Sequence, residues 1–438
     1  MAKFHIQNFG CRATQADGAA LEAALAEKGF QPAAREAAEL IILNSCTVTS
    51  EADQDVRQAV RRARRENPAA RIIVTGCYAQ RAPEELAALP GVTWVVGNTH
   101  KAGIAELLAA ESEAPEAPLY HGQIRVGDIL TQQEFLGGVV EDAAGDRTRP
   151  NLKIQDGCNH RCSFCIIPFV RGRSRSAQPD WVVEQVRHLA ARYREVVLSG
   201  INLGRWGRDL PERRLRLFDL LRRLLEETPV ERLRLSSVEP MDLSDDLLGL
   251  MASSARIARH VHAPLQTGSD SVLRRMRRKY HARHYEDRIR RARALMPEAA
   301  IGADVMAGFP GETEAEFEEN RQFIESLPFT YLHVFTYSAR PGTPAAEAPD
   351  HVPMPVRKQR NRVLRELAAK KNLEFRRSMV GRTLSVVTLQ QAGVALSDNY
   401  LKVELAAAGA PNRIIEVEVG GVSESGLREK NALSAPQR

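Results

Sequence analysis

The chain has 438 residues, with 61 Lys or Arg against 55 Asp or Glu, and it is longer than one hydrophobic core normally serves, so two or three domains are expected. No apolar run approaches the roughly 18 residues of a membrane span, and Met1-Ala2-Lys3-Phe4 leads into a strand-like segment with no apolar leader, so the expectation is a cytoplasmic protein with no membrane partner. The formal charge of +6 permits a polyanionic partner without requiring one, and six cysteines in a chain of this size fit metal centres in a reducing compartment better than a disulfide framework.

Residues 4–9, 40–43, 71–74 and 93–96 are short apolar runs, separated by helical patterns at 19–28, 53–66 and 83–89. Alternating strand and helix predicts a parallel sheet with both faces covered. The first three strands end in Gly10-Cys11, Asn44-Ser45-Cys46 and Gly76-Cys77. Loops at the carboxyl ends of parallel strands converge on one edge, so Cys11, Cys46 and Cys77 can meet there. Spacing alone leaves open a three-cysteine metal centre or three separate small buried residues. Arg57, Arg61, Arg62, Arg64, Arg65 and Arg71 stand against the single acid Glu66, as a solvated helix face or a phosphate-contacting surface. Stretches 111–118 and 141–150 read as linker, with weak strand signals between them.

From residue 151 the alternation restarts. Strands are predicted at 152–155, 195–198, 232–236, 260–265, 300–306 and 331–335, with helices at 180–193, 217–227, 244–252, 271–276, 284–295 and 314–326. Six βα units predict a partial (β/α) barrel with its site at the carboxyl ends of the strands. Directly after the first of these strands comes Gly157-Cys158-Asn159-His160-Arg161-Cys162-Ser163-Phe164-Cys165. A closed zinc site needs a fourth ligand, whereas three thiolates suit a [4Fe-4S] cluster with one open iron. The other strand ends carry Gly200, Asn202, Ser237, Glu239 and Gln266, polar or small residues able to contact a bound molecule. The turn around Gly308 is either a cofactor contact or a helix lead-in, with Thr313 and Glu316 as a capping box. Two basic tracts, 171–175 and 274–293, flank this face and suggest backbone phosphates as counterpart. A basic helix at 356–377 precedes strands at 383–389, 394–396, 401–405 and 413–419, a small all-β module expected to close as a barrel.

The C-x3-C-x2-C spacing with Phe164 before the last cysteine resembles the radical S-adenosylmethionine (SAM) motif, in which the SAM amino and carboxylate groups chelate the fourth iron. The whole chain resembles the methylthiotransferase family, through Asn44-Ser45-Cys46-Thr47-Val48-Thr49, Val74-Thr75-Gly76-Cys77-Tyr78, Val95-Val96-Gly97-Asn98 and the segments 154–168 and 171–176. Segments 203–210 and 332–338 are most similar to the branch acting on N6-threonylcarbamoyladenosine at tRNA position 37. The resemblance implies an α/β fold: an N-terminal parallel-sheet domain at 1–118, a linker or excursion at 119–149, a partial (β/α)6 radical SAM barrel at 150–378 and a TRAM-like RNA-binding barrel at 379–438. It implies one [4Fe-4S] cluster on Cys158, Cys162 and Cys165, an auxiliary one on Cys11, Cys46 and Cys77, and SAM contacts from Phe164, Gly200, Asn202, Ser237, Glu239 and Gln266.

The implied partners are a tRNA anticodon stem-loop and an electron donor such as flavodoxin or ferredoxin, with the sulfur donor unspecified. The implied reaction is 2-methylthiolation of the modified adenosine, with no acid–base pair of side chains. The sister reaction on N6-isopentenyladenosine, methylthiolation of a ribosomal-protein aspartate, and a non-enzymatic iron–sulfur protein are the alternatives. One departure is Thr14, where the family commonly carries asparagine three residues after its first cysteine.

Overall fold

The computed structural model describes residues 2–111, 122–135, 137–140, 148–210 and 215–431, and most of the two linker stretches lies outside them. Strands β1 (Lys3–Asn8), β2 (Gln31–Pro32), β3 (Leu40–Ser45), β4 (Arg71–Gly76), β5 (Val92–Val96) and β6 (Gln123–Arg125) form one parallel sheet in the order β2-β1-β3-β4-β5-β6. Helix α1 (Arg12–Glu27) sets Leu21 and Leu25 against the face bearing Leu40 and Ile42, while α2 (Ser50–Glu66) sets Val56 and Val60 against Ile41 and Leu43. Burial on both faces is why β3 reads as an unbroken apolar run.

Two elements differ from the sequence reading. Residues 123–125, assigned to an excursion, pair with β5 as the sixth strand. Helix α1 starts seven residues earlier than its periodicity suggests, because its first turns bury Thr14 and Asp17 and so carry no apolar signal.

In the middle of the chain, β7 (Asn151–Asp156), β8 (Arg175–Ser176), β9 (Glu195–Gly200) and β10 (Arg232–Leu235) make a sheet ordered β10-β9-β7-β8. Strands β11 (His260–His262), β12 (Ala300–Ala307) and β13 (Tyr331–Thr336) make a second, and a bridge between Leu233 and Ile257 joins the two into a partial barrel. Its six main strands are parallel, and β8 is a short antiparallel addition to β7. Side chains alternate strictly. Ile301, Ala303, Val305, Leu332 and Val334 join the core under the outer helices, which leaves Gly302, Asp304, Met306, Tyr331, His333 and Phe335 on the inner face.

Strands β14 (Thr383–Thr388), β15 (Val394–Ser397), β16 (Lys402–Glu404), β17 (Ile414–Val422) and β18 (Leu427–Glu429) close into a five-stranded barrel. It docks against the amino-terminal ends of the central strands. Arg234 donates to the carbonyls of Ser397 and Asp398, Arg232 to Ser385 Oγ, and Asn399 to the carbonyl of Glu298. Tyr400, at φ 65°, stacks on His260 with ring centroids 4.4 Å apart, so the β15–β16 turn stoppers the floor of the central barrel.

Candidate functional site

Cys11, Cys46 and Cys77 follow β1, β3 and β4, three adjacent strands whose carboxyl ends lie side by side. Strand order reverses beside β1, the position where open parallel sheets form a crevice. Cys11 is the N-cap residue of α1 and Cys77 opens the short helix α3 (Cys77–Arg81). Gly10 has φ 94°, and a Cβ there would lie 2.7 Å from Cys46 Sγ, so only glycine lets the two loops close. Thr14 Oγ1 lies 3.6 Å from Cys11 Sγ, and Asn98 Nδ2 lies 3.7 Å from Cys77 Sγ while donating to the Val170 carbonyl at 2.7 Å. Burial, then the proximity of Cys77 and Cys11, pushes the Cys46 thiol up to about 12. A buried thiol that resists ionisation beside two others belongs to a donor set that a cationic centre would relieve.

The second trio lies in the loop after β7. Gly157 has φ 69°, and any side chain there would strike the Arg173 carbonyl. The loop is pinned by Cys158 N–H to the Gly172 carbonyl at 3.0 Å and by Ser163, which donates to the carbonyls of Met276 and Arg275 and accepts from Ala345. Burial, then Cys162 and Cys158 nearby, lifts the Cys165 thiol to about 12. Neither trio has all three sulfurs within 4.8 Å of one another. A single tetrahedral zinc with bonds of about 2.3 Å would need them about 3.8 Å apart, whereas a cubane spreads its thiolates over different irons. Both trios therefore fit the wider group better.

Around the second trio the predicted contact residues take different parts. Asn202 Nδ2 lies 3.6 Å from Cys158 Sγ, while its Oδ1 and the hydroxyls of Ser199 and Ser236 are buried without a hydrogen-bond partner at the ends of β9 and β10. Orphaned polar atoms at one rim are what a polar ligand would satisfy. Ser237 is half-buried beside them. Glu239 is ion-paired with Arg278. Gln266 holds a left-handed backbone at φ 66° with its carbonyl bonded to Met306 N–H, a strained conformation of the kind found at ligand clamps. Phe164 packs edge-on against Phe309 at 6.5 Å, an apolar wall. Gly200 leaves room for the Gln155 side chain, whose Oε1 accepts from Asn202 N–H at 2.6 Å. The Gly308 turn is a helix lead-in: Thr313 and Glu316 form the capping box, and Glu312 accepts from Gly308 N–H.

Several residues near the site escaped the sequence reading because they lie in tracts that looked phosphate-facing. Arg278 donates to Cys162 Sγ at 3.2 Å; burial opposes its charge, but Tyr280, Glu239 and Cys162 around it hold its pKa well above the ordinary value. Arg171 is buried between Asp17 and Asp156, and Arg175 is buried as well, leaving Arg173 as the outward residue of that tract.

Two carboxylates tie the domains together. Asp17, on α1 six residues after Cys11, pairs with Lys153, Arg171 and Lys101. Asp53, on α2 seven residues after Cys46, accepts from Arg340 at 2.7 Å and Arg81 at 3.1 Å. The helices that follow Cys11 and Cys46 are thus both clamped to the central barrel by buried charge.

Two family models match the chain, "Uncharacterized protein family UPF0004" over residues 3–97 and "Radical SAM superfamily" over 152–324. The architecture is also that of a Kitasatospora setae radical SAM methyltransferase, TsrM, at TM-score 0.59 and 18% identity over 79% of this chain and 75% of that one, a likeness of fold. A protein with this barrel and this cysteine loop is a radical SAM protein. Threonylcarbamoyladenosine tRNA methylthiotransferases MtaB of Aquifex aeolicus and Bacillus subtilis are each 36% identical over 92% of the chain, covering 96% and 90% of their own lengths. A tRNA-2-methylthio-N(6)-dimethylallyladenosine synthase of Syntrophobacter fumaroxidans is also 36% identical, over 83% of the chain and 80% of its own length. The chain belongs to the radical SAM methylthiotransferase family, in its MtaB branch.

Proposed function

We propose that this protein methylthiolates C2 of N6-threonylcarbamoyladenosine at position 37 of tRNA, using two [4Fe-4S] clusters and SAM. The observation that carries the reading is the presence of two groups of three cysteines on adjoining domains, one group on three strand-end loops and the other on a single loop, with the domains joined through Asp17 and Asp53, in a chain with MtaB relatives along nearly its full length. Cys158, Cys162 and Cys165 would hold the cluster that binds SAM, and Cys11, Cys46 and Cys77 the auxiliary one. When bound, these groups supply one-electron cleavage of SAM, the hydrogen-abstracting radical and the transferable sulfur.

The chain's own residues orient and shield. Asn202, Ser199 and Ser236 offer hydrogen bonds at the rim of β9 and β10. Phe164, Phe309 and Met306 supply an apolar wall that excludes water from the cysteine loop. An aromatic C–H has no acidity for a side-chain base to exploit, so no acid–base pair is required of the protein.

Nucleoside mass spectrometry of tRNA from cells with and without the gene tests the reading. Loss of 2-methylthio-N6-threonylcarbamoyladenosine on deletion supports it. Loss of the dimethylallyl counterpart instead would favour the second reading, which the Syntrophobacter relative keeps in view. On purified protein, Cys162→Ala should abolish SAM cleavage, whereas Cys46→Ala should leave cleavage and lose methylthiolated product. An electron donor such as flavodoxin or ferredoxin completes the proposed system.

A further inference from the structure

The inner face of β12 and β13 carries a polar and aromatic ladder that the cysteine loops do not use. Asp304 Oδ1 accepts from His262 Nε2 at 3.1 Å and from His333 Nδ1 at 3.2 Å. His262 Nδ1 lies 2.8 Å from Tyr331 Oη, which also lies 2.6 Å from His260 Nε2. Burial opposes the Asp304 charge, but the two ring N–H donors win and hold its carboxyl well below the ordinary range. With Nδ1–H of His333 given to Asp304, its Nε2 is left as an acceptor, and the side chain is 52% exposed.

One rung higher on the same strand face is Phe335, 47% exposed, its ring edge-on to His333 at 6.5 Å. Phe335 is in register with Met306, which packs with Phe164 of the Cys158–Cys165 loop. Three residues further on, Ser338 Oγ accepts from the backbone N–H of Ser50, four residues beyond Cys46. The exposed ring therefore lies on the line of chain that joins the two cysteine loops. An oriented imidazole edge beside an open aromatic face is the pairing that reads an unstacked base, by hydrogen bond and by stacking.

We infer that Phe335 and His333 hold the target purine between the two groups of cysteines, Phe335 stacking on its face and the Asp304-oriented His333 accepting at Nε2 from an N–H of the base. This rests on the function proposed above. Its occupant is the substrate base because the face lies toward the carboxyl end of β13 and combines one exposed aromatic plane with one fixed acceptor. His262, Asp304 and Tyr331 are positioning residues that set the tautomer and angle of His333.

The test uses the reconstituted enzyme and an anticodon stem-loop with 2-aminopurine at the target position, whose 2-amino group occupies space that the product's substituent must also fill. Wild-type enzyme should quench the fluorophore on binding. Phe335→Leu should lose the quench and bind on the order of tenfold more weakly, while Phe335→Tyr restores both. The log–log salt slope, which reports how many phosphates the protein neutralises, should not move in any of them. His333→Ala should lose the preference of the wild type for adenosine over its N6,N6-dimethyl analogue in the stem-loop, which has no N6–H to give, and His333→Gln, whose amide oxygen can accept, should recover part of it.

Equal quenching by wild type and a folded Phe335→Leu protein would overturn the inference. So would stoichiometric zinc that disappears in His333→Ala, since His262, Asp304 and His333 are, among the described residues, the one trio with ligand atoms within 4.8 Å of one another. If the wild type neither binds the stem-loop nor forms methylthiolated nucleoside, the proposed function falls and this inference with it. If it does both and the variants match it, the inference falls alone.

Discussion

Arg278 donates through Nη1 to Cys162 Sγ at 3.2 Å and pairs through Nη2 with Glu239, so one buried guanidinium links a candidate cluster ligand to a carboxylate at the end of the third barrel strand. A cation donating to a ligand sulfur favours the reduced, more negative state of the centre that sulfur holds. Arg278→Gln, after reconstitution, should therefore lower the midpoint potential by on the order of 60 mV, a tenfold change for a one-electron couple. Redox titration followed by electron paramagnetic resonance reads this directly. An unchanged midpoint would mean that Arg278 serves Glu239 alone.

Asp53 is the meeting point of buried Arg340 and Thr47 and of half-buried Arg81, and Arg340 also donates to the Thr47 carbonyl next to Cys46. Removing one member of a buried ionic group leaves the others unpaired, which costs about 3–5 kcal/mol. Arg340→Ala should lower denaturant stability by that order and raise the ratio of 5′-deoxyadenosine to methylthiolated product, as the Cys46 loop loosens from the barrel. Urea unfolding and product analysis on one preparation would check both.

Stability should fall on acidification through Glu195. Burial opposes its charge, yet Arg234 and Arg149 hold its carboxyl down to about 2. A depressed carboxyl contributes stability that is complete above its unfolded value near 4.5 and is lost as pH falls toward the folded value. The contribution is roughly 3 kcal/mol from the size of the shift. Unfolding of the apo-protein should show little pH dependence through this group between 7 and 5 and a steep loss between about 4.5 and 2. In Glu195→Gln that descent should flatten, from a lower starting stability.

The arginines that reach RNA are fewer than the basic tracts suggest. Arg61 and Arg65 on α2 are exposed, whereas Arg171, Arg175 and Arg278 are turned inward. Neutralising Arg61 and Arg65 together should weaken tRNA binding and reduce the log–log salt slope by about 0.7 to 0.9 for each phosphate that is no longer neutralised. Titration at several salt concentrations measures it. The terminal barrel carries as many acids as bases, several in pairs such as Lys430 with Glu418 and Arg428 with Glu404, so removing single charges there should change the slope less.

The fold was legible wherever one physical signal dominated. Apolar runs such as Leu40-Ile41-Ile42-Leu43 marked buried parallel strands, and Thr313 with Glu316 marked a helix start. The six cysteines were visible because each follows a strand at the same kind of position. What could not be read was the direction in which a polar side chain points. Arg278 and Arg277 are neighbours of identical type, yet one is buried against Cys162 and the other is exposed at φ 56°. The inner-face ladder of His262, Asp304 and His333 was equally hidden, since its members lie on three strands and meet only when those strands pair in register. The buried start of α1 was missed for the same reason: Asp17 looks like a solvent residue until Lys153 and Arg171 are brought to it.

Tyr400 and the β15–β16 turn close the barrel from below, with Tyr400 Oη accepting from Arg12, the residue after Cys11. With its floor closed, the barrel loads from elsewhere, and under the proposed function that imposes a queue. Small reactants seated deep must load before the RNA covers the opening, and their spent forms must wait until it lifts. Turnover is then paced by how often the lid comes off, and a tRNA that lingers after reaction would act as a cork on its own enzyme.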